Sequence, residues 1–406
     1  MSGVVVIGAG QAGASLAARL RTKGYDGVVT MIGAEPVPPY QRPPLSKAYL
    51  LGDMDRDRLF LRPEKFYDDQ NIRLITGQMI TQIDAKAKQI IIGGEPLGYD
   101  DLVFCTGADA ITLPPESGGD LDGIYTMRNL ADVDAMQPEF VAGRKVLIVG
   151  GGYIGLEAAA VARKFNLDVT LIHRGARILS RVAAAETADY FRDLHKSHGV
   201  DLREGTGLMR LNGEDRVSSA VLSDGIEMNV DFVIAGIGVT PASALAARAG
   251  AAIDNGISTD AYGRCNVPGL WSAGDCASFP GPDGQMRLES VGNAIDQAEL
   301  VADNIMGAER AYVPKPWFWS DQYDVKLQIA GLLTGYTDVV MRDAGDGAQS
   351  HWYYKGDELI ALDAMNDARA YMVGKRLVEA GKSPAKAEIS DAGSDLKSIM
   401  KAAMAS

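Results

Sequence analysis

Short apolar runs, each followed by a glycine turn and then by apolar positions at helical spacing, recur along the chain. Residues 4–7 (VVVI) lead into GAGQAG and a stretch of helical periodicity, and VVTMI follows as a second apolar run. From Lys145 the order VLIV, GGGYIG, LEAAAVARKFN and VTLIH repeats the pattern. A strand, a tight turn, a helix and a parallel strand form a βαβ unit, so the repeat predicts two nucleotide-binding domains.

The apolar runs DLVFCTGAD and DFVIAGIGVTP bracket the second copy of this pattern. We infer that the chain leaves its first domain and later returns to it. From Trp317 onward aromatic and polar residues alternate, which predicts an antiparallel sheet, and the last ~20 residues predict a surface helix or a frayed tail. The predicted fold is α/β, with two Rossmann-like dinucleotide-binding domains (1–108 with 240–315, and 109–239) and a C-terminal α+β domain (316–406).

Composition narrows the possible partners. The 406 residues carry 40 Lys and Arg against 53 Asp and Glu, a net charge of −13, so the long-range field repels nucleic acid and anionic membranes. The N-terminus shows no basic stretch followed by an apolar one, and no run of about 18 apolar residues occurs. We therefore expect a cytoplasmic protein that binds neither nucleic acid nor membranes.

Cysteine and histidine usage argues against a metal centre or a redox disulfide. Cys105, Cys265 and Cys276 lack the spacing of a CxxC pair, and the four histidines are scattered. We expect reduced, mostly buried thiols and no bound metal. A disulfide reductase of this architecture needs two cysteines in the helix after the first βαβ unit, and RPPLSK stands there instead.

The first glycine loop has the spacing of a dinucleotide site. Gly8, Gly10 and Gly13 form GxGxxG between a strand and a helix, where glycines permit a tight turn and close approach of a pyrophosphate to the helix N-terminus. Glu35 ends the next apolar run and can bind ribose hydroxyls. This context favours a nucleotide site over a purely structural turn.

The second glycine loop repeats the spacing with Gly150, Gly152 and Gly155, but no carboxylate ends the following strand. His173, Arg174 and Arg177 stand there, within the stretch IHRGAR. A cation at this position can neutralise a 2′-phosphate, which favours NADPH. The alternatives are exposed charges without a role, or an arginine that stacks on the adenine of either nucleotide.

Two further features suit the second half of an FAD site. Asp275 follows the short apolar run LWSAG and can accept hydrogen bonds from ribityl hydroxyls, although capping of the next segment is the structural alternative. Val291 precedes NAIDQAELVADNIM, a predicted helix whose N-terminus suits the negative charge of a reduced flavin.

These motifs together resemble one family. Both glycine loops, RPPLSKAYL from Arg42, GGGYIGLE from Gly150, AGDCA from Ala273 and PWFWSDQY from Pro316 are similar to those of bacterial FAD-dependent ferredoxin reductases. This is the family of putidaredoxin reductase and of the ferredoxin reductases of aromatic-ring dioxygenases. The resemblance implies a glutathione-reductase-like fold in which NADH or NADPH reduces FAD, which passes single electrons to a [2Fe–2S] ferredoxin serving a Rieske oxygenase or a cytochrome P450.

The resemblance also implies roles for individual residues. Lys47 and Glu157 resemble the family's buried pair beside the flavin and nicotinamide, and Trp319 its aromatic residue near the flavin. Two of residues 317–319 are expected to be core instead. Family members that use NADH commonly carry an acidic residue where His173 stands. Implied cofactor contacts are Ala12, Ala34 or Glu35, Arg42, Lys47, Ile80, Arg128, Asp275 and Val291 for FAD, and Ile154 with the second glycine loop for the nicotinamide nucleotide.

Other functions remain open at this level. A rubredoxin reductase or an NAD(P)H oxidase shares the same loops, and so does a flavoprotein that acts as a redox-sensed interaction module. The oligomeric state, monomer or homodimer, is also open. An acidic ferredoxin is expected to dock at a local basic cluster, either Arg56, Arg58 and Arg62 or Arg310 and Lys315.

Overall fold

The computed structural model describes residues 3–282 and 284–405, and the chain divides into two compact units. Unit 1 contains residues 1–42, 55–109 and 239–316. Unit 2 contains residues 43–54, 110–238 and 317–406. The predicted domain limits 1 and 406 lie outside the described residues, and the three-domain division stays a prediction.

Unit 1 is built on a parallel five-stranded sheet whose strands are buried because helices and loops cover both faces. Helix Gln11–Thr22 packs against helix Val291–Ile305, and the Arg19 guanidinium joins them by two 2.8 Å hydrogen bonds to the Asp303 carboxylate. In sheet order the strands are Leu270–Ser272, Asp101–Phe104, Gly3–Ile7, Val28–Ile32 and Ile72–Ile75.

Smaller elements complete unit 1. Unit 1 also contains an antiparallel meander and a three-stranded sheet, and a two-stranded sheet is formed where the chain leaves this unit after Asp109 and returns to it at Val239. The meander comprises Ile83–Asp84, Gln89–Ile92 and Glu95–Gly98, and the three-stranded sheet comprises Ile257–Ser258, Ala277–Gly281 and Gly284–Met286. The two-stranded sheet pairs Ala108–Ala110 with Val239–Pro241. The other helices described in this unit are Glu64–Asp69, Ala244–Arg248 and the 3₁₀ turn Arg56–Leu59.

Unit 2 contains a second parallel five-stranded sheet with the same strand, glycine turn and helix. Its strands are, in sheet order, Asp201–Glu204, Asp168–His173, Lys145–Val149, Phe232–Ala235 and Ile124–Tyr125. Its helices are Leu130–Met136, Tyr153–Lys164 and Ala185–Ser197, with 3₁₀ turns at Pro43–Ser46, Pro115–Ser117 and Gln137–Glu139. An antiparallel meander of Leu208–Gly213, Val217–Leu222 and Glu227–Asn229 flanks the sheet.

The chain from residue 317 forms the predicted antiparallel sheet, covered by three helices. The strands, in sheet order, are Trp317–Gln322, Val325–Gly331, Glu358–Met365, Ala348–Lys355 and Asp338–Gly345. The helices are Ala368–Ala380, Lys386–Ser390 and Leu396–Ala405. The predicted fold class, two parallel α/β sheets and a C-terminal antiparallel sheet, is therefore confirmed.

The last helix is a surface helix, which is one of the two predicted alternatives, since most of its residues are exposed. Leu396 and Ile399 are buried in the core of the antiparallel sheet. The Arg342 guanidinium, itself buried, donates four hydrogen bonds to backbone carbonyls that precede the helix. These acceptors are the carbonyl oxygens of Ile389, Asp391, Ala392 and Ser394, at 2.5 to 3.0 Å.

Candidate active site and nucleotide-binding loops

The first glycine loop combines two packed glycines with an open one. A Cβ on Gly8, whose φ is +114°, would lie 2.0 Å from the Cys105 carbonyl oxygen, and one on Gly13 would lie 2.0 Å from the Gly8 carbonyl oxygen. A Cβ on Gly10 would meet nothing within 4 Å. Gly10 caps the following helix without a side-chain hydrogen bond, so the helix N-terminus faces an open cradle. Such a cradle fits a pyrophosphate.

The second glycine loop has the same three-part geometry in unit 2. Gly150 has a φ of +119° and its Cβ would lie 2.2 Å from the Gly236 carbonyl oxygen, while that of Gly155 would lie 2.0 Å from the Gly150 carbonyl oxygen. Gly152 again has nothing within 4 Å. Ile154 is exposed on the first turn of the helix. The residues present therefore fit two dinucleotides, one in each unit.

Glu35, the predicted ribose ligand of the first loop, is part of an ion pair. Its Oε1 accepts a 2.6 Å hydrogen bond from Arg42, and its Oε2 accepts one of 2.6 Å from the Tyr40 hydroxyl. Burial opposes the Arg42 charge, but Tyr40, Glu35 and Asp275 outweigh it and leave the pKa of Arg42 raised. The structure thus brings Glu35, Arg42 and Asp275 together, while Ala34 is exposed.

Small residues bring Asp275 and Val291 near the first loop helix. A Cβ on Gly274 would lie 3.0 Å from that of Ala12 and 3.8 Å from that of Ala294, so these backbones approach closely. The helix begins at Val291 itself, two residues before the predicted start at Asn293, because the Ser290 hydroxyl accepts the Asn293 N–H and caps it.

Two further implied FAD contacts, Ile80 and Arg128, lie in different units. The Ile80 side chain is buried in the core of unit 1, so only its backbone is available to a ligand. Arg128 lies in unit 2, where its N–H donates to Asp132 at the start of helix Leu130–Met136.

The three basic residues at the end of strand Asp168–His173 have different surroundings. The His173 ring turns toward the second glycine loop, where its Nδ1 accepts the Gly151 N–H at 3.2 Å. Burial lowers the pKa of His173, so the ring is neutral near pH 7. Arg177 donates to the Ala183 carbonyl, and Arg174 is exposed. His173 therefore does not supply the predicted positive charge, and the two arginines carry it.

Lys47 and Glu157 form an ion pair in unit 2, with Nζ 2.6 Å from Oε2. The Glu157 side chain is 1% exposed and that of Lys47 17%. Ser46 also donates to Glu157 Oε2, and Ser320 donates to Oε1 at 2.7 Å. Both carboxylate oxygens are therefore satisfied, as a buried charge requires. Sequence reasoning missed Ser46 and Ser320, because a serine within RPPLSKAYL or PWFWSDQY does not by itself indicate its hydrogen-bond partner.

Residues 317–319 are all half-buried, which corrects the expectation that two of them are core. Trp319 stacks on Trp317 with ring centroids 5.5 Å apart, and Phe318 packs against Tyr153 at 4.9 Å. Alternation along an edge strand places the two tryptophans on one face and Phe318 on the other.

The cysteines are free and buried, as predicted. Burial raises the pKa of Cys265 to about 12 and raises that of Cys105 as well, which makes these thiols poor nucleophiles. Across residues 3–282 and 284–405 there is no His, Cys, Asp and Glu group that can hold a metal ion. In the same part of the chain, every helix is too short or too polar to cross a bilayer.

Comparisons with known proteins agree with this geometry. Residues 2–298 match the pyridine nucleotide-disulphide oxidoreductase family model, and residues 317–400 match the reductase C-terminal model. The chain is 44% identical over 384 residues to a ferredoxin–NAD(P)+ reductase of Sphingomonas sp., covering 93% of this chain and 92% of that protein.

Solved structures extend the likeness to the whole chain. The reductase of a covalent putidaredoxin reductase–putidaredoxin complex is 35% identical with a TM-score of 0.95, covering 100% of this chain and 99% of that one. The ferredoxin reductase for the CYP199A2 system of Rhodopseudomonas palustris is 37% identical with a TM-score of 0.94, covering 99% and 100%.

Proposed function

We propose that this chain, which belongs to the pyridine nucleotide-disulphide oxidoreductase family, is an FAD-containing NAD(P)H:ferredoxin reductase. The observation that carries the proposal is the pair of equivalent glycine cradles, one in each unit, next to a chain-long likeness to ferredoxin reductases. The balanced reaction is NAD(P)H plus two oxidised ferredoxins giving NAD(P)+, H+ and two reduced ferredoxins. The reduced ferredoxin serves a Rieske oxygenase or a cytochrome P450.

FAD, when bound, supplies the change from two-electron to one-electron transfer that no side chain can provide. We assign its pyrophosphate to the first glycine loop and its sugar hydroxyls to Glu35 and Asp275. Arg42 fixes the Glu35 carboxylate by an ion pair. The N-terminus of helix Val291–Ile305 offers N–H groups and a positive dipole end to an electron-rich ring edge. Further proposed contacts are Ala12, Ala34, Ile80, Lys47 and Arg128.

Lys47 and Glu157 supply a fixed, paired charge for the hydride-transfer step. The Lys47 Nζ donates a 2.6 Å hydrogen bond to Glu157 Oε2, which fixes the direction of the ammonium group. Glu157 accepts from Ser46, Lys47 and Ser320, so its two oxygens cannot turn. Such a preformed charge needs no reorganisation during the reaction. Trp319, half-buried and stacked, is assigned to shield the reacting rings from water.

The second glycine loop, with Ile154, is assigned to the nicotinamide nucleotide. Arg174 and Arg177 favour NADPH, because a guanidinium pairs with a 2′-phosphate by charge-assisted hydrogen bonds. His173 orders the loop through the Gly151 N–H instead of binding phosphate.

Three finer statements belong to the same proposal. The chain comprises an FAD domain (1–108 with 240–315), a nucleotide domain (109–239) and a C-terminal domain (316–406), which limited proteolysis tests. It works as a monomer or homodimer, which sedimentation decides. Its place is the cytoplasm, where nicotinamide nucleotides are re-reduced, and cell fractionation tests this.

Other acceptors are the competing functions. A rubredoxin reductase or an oxidase would use the same loops, and an interaction flavoprotein would turn over slowly. A disulfide reductase is disfavoured because Cys105, Cys265 and Cys276 are all buried and none adjoins Lys47 in the chain.

Steady-state kinetics with NADH and NADPH against a panel of [2Fe–2S] ferredoxins and a rubredoxin test the proposal. Fast ferredoxin reduction with little oxygen consumption is expected. A preparation that stays colourless with added FAD, or one that reduces only rubredoxin or oxygen, contradicts it.

A further inference from the structure

Two polar side chains lie fully buried on one face of strand Trp317–Gln322 in unit 2. Ser320 and Gln322 are each 0% exposed and are two residues apart, so they point the same way. His195, on helix Ala185–Ser197, is also 0% exposed. Buried polar groups are costly without partners, so the destination of their hydrogen bonds matters.

These side chains form one continuous chain of hydrogen bonds that ends on the Lys47–Glu157 pair. Starting at Glu157, Oε1 accepts from Ser320 at 2.7 Å, and the Ser320 hydroxyl accepts from Gln322 Nε2 at 3.1 Å. Gln322 Oε1 lies 2.8 Å from His195 Nε2. His195 Nδ1 lies 3.2 Å from the hydroxyl of the half-buried Tyr323, whose ring stacks on the exposed His198.

The charge on Glu157 dictates the direction of every bond in this chain. A carboxylate only accepts, so Ser320 must give it its single proton and must accept from Gln322. Gln322 therefore turns its NH₂ to Ser320 and its oxygen to His195, which must carry its proton on Nε2. His195 Nδ1 is then left to accept from Tyr323. Burial lowers the pKa of His195 to about 4, consistent with a neutral ring near pH 7.

We propose that Ser320, Gln322 and His195 are positioning residues for the reductase: they form a one-directional hydrogen-bond chain that orients the Glu157 carboxylate and thereby Lys47. The inference rests on the proposed function, in which this ion pair acts in hydride transfer. It adds three residues that belong to neither glycine loop and that stand on helix Ala185–Ser197 and strand Trp317–Gln322.

The hydrogen-bond chain does more than satisfy buried polar groups, because a change at Glu157 changes which ring nitrogen of His195 carries the proton. In Glu157→Gln, Ser46 and Lys47 keep the new amide oxygen on their side, so its NH₂ faces Ser320. Ser320 must then donate to Gln322, whose amide turns over and donates to His195 Nε2. The proton of His195 consequently moves to Nδ1.

Histidine-labelled holoenzyme tests this directly by nitrogen NMR, since the chain has only four histidines. We expect His195 to be protonated on Nε2 in the natural protein and on Nδ1 in Glu157→Gln. Thr187→Val is the matched control: it removes another buried hydroxyl, one that joins the same helix to the antiparallel sheet through Asp363. It should leave His195 protonated on Nε2.

Stopped-flow reduction supplies the second readout. Ser320→Ala and Gln322→Met are expected to slow the limiting rate of flavin bleaching by NAD(P)H about 10-fold, while the nucleotide Kd changes less than about 2-fold. A His195 proton that stays on Nε2 in Glu157→Gln overturns the proposal. So does an equal slowing in Thr187→Val. A natural protein that NAD(P)H never bleaches instead contradicts the proposed function, while the NMR result still decides the hydrogen-bond chain.

Discussion

Lys47 Nζ lies 2.6 Å from Glu157 Oε2, although 110 residues separate the two in the sequence. Lys47 follows a 3₁₀ turn and Glu157 stands on the helix after the second glycine loop. The pair therefore ties the segment 43–54 to the predicted nucleotide site. Each charge is tolerated at this depth only because the other is present.

Removal of one partner should cost stability. Lys47→Met leaves the Glu157 carboxylate uncompensated, and we expect the free energy of unfolding to fall by about 3 kcal/mol. Lys47→Met combined with Glu157→Gln should recover part of this loss, since no buried charge then remains. Urea denaturation of the natural protein, Lys47→Met, Glu157→Gln and the double variant measures both effects. If the double variant is as unstable as the sum of the single ones, the two side chains are not coupled.

Substitution of the two glycines that have free space around them, Gly10 and Gly152, should weaken the binding of one nucleotide each. Gly10→Ala and Gly152→Ala add a methyl group where nothing lies within 4 Å, at φ values of −94° and −85° that any residue adopts. The folds should survive. Gly10→Ala is expected to lose bound FAD, and Gly152→Ala to keep it while the KM for the nicotinamide nucleotide rises about 10-fold or more. Absorbance spectra and steady-state kinetics measure this.

Gly8→Ala is the contrasting variant, because its φ of +114° and its contact with the Cys105 carbonyl make it a folding defect. With FAD removed from all the proteins, so that loss of the cofactor does not itself change Tm, Gly8→Ala should lower Tm and Gly10→Ala should not. Equal losses of Tm in both would contradict the division of roles within the loop.

The glycine loops were predictable because their chemistry is local. Each loop, its strand and its helix lie within about 30 residues, and the pattern alone fixes the turn. Ser320, Gln322 and His195 were not predictable, because polar residues in the run WFWSDQY suit an exposed strand face equally well. Only the packing of helix Ala185–Ser197 against that strand decides their partners. The inward turn of His173 escaped prediction for the same reason: it depends on the Gly151 N–H.

Nucleotide preference should reside in the exposed arginine. Arg174→Glu replaces a cation for the 2′-phosphate by a like charge, so we expect the KM for NADPH to rise about 10-fold and that for NADH to change little. Arg210→Glu, an equal charge change at another exposed site of unit 2, is the control. Parallel changes for both nucleotides would show that the arginine does not read the phosphate.

A buried aspartate should give the protein an unusual pH dependence of stability. Asp363 is fully buried beside Thr187 and Tyr353, and burial raises its pKa from 3.8 to about 6. A raised carboxyl pKa stabilises the fold at low pH, and that contribution is lost as the pH rises through about 6. Asparagine does not titrate, so Asp363→Asn should not lose this stability as the pH rises.

The free energy of unfolding of Asp363→Asn, taken relative to that of the natural protein, should therefore rise by about 2 kcal/mol between about pH 4.5 and 7.5. His351 and His195, whose pKa values burial lowers to about 4, contribute to both proteins and cancel. Asp343→Asn, an exposed change in the same sheet, should show a flat difference. Denaturation across pH measures this, and a flat difference for Asp363→Asn would refute it.

Ferredoxin docking is expected at Arg56, Arg58 and Arg62, which are all exposed in unit 1. Reversal of Arg58 and Arg62 to Glu should raise the KM for ferredoxin about 10-fold, because like charges then face an acidic partner. Ferricyanide reduction should be spared, and Lys86→Glu should have little effect on either. A parallel fall in both activities would contradict docking here, and the same test then applies to Arg310 and Lys315.

The Arg342 side chain gives the C-terminal segment backbone hydrogen bonds of the kind that a neighbouring strand gives within a sheet. Its guanidinium donates to four carbonyl oxygens, from Ile389 in the last turn of helix Lys386–Ser390 to Ser394, which precedes helix Leu396–Ala405. The order of this stretch therefore depends on one side chain from a distant strand. Replacement of that side chain would release the terminal helix and expose Leu396 and Ile399, which pack in the core of the antiparallel sheet.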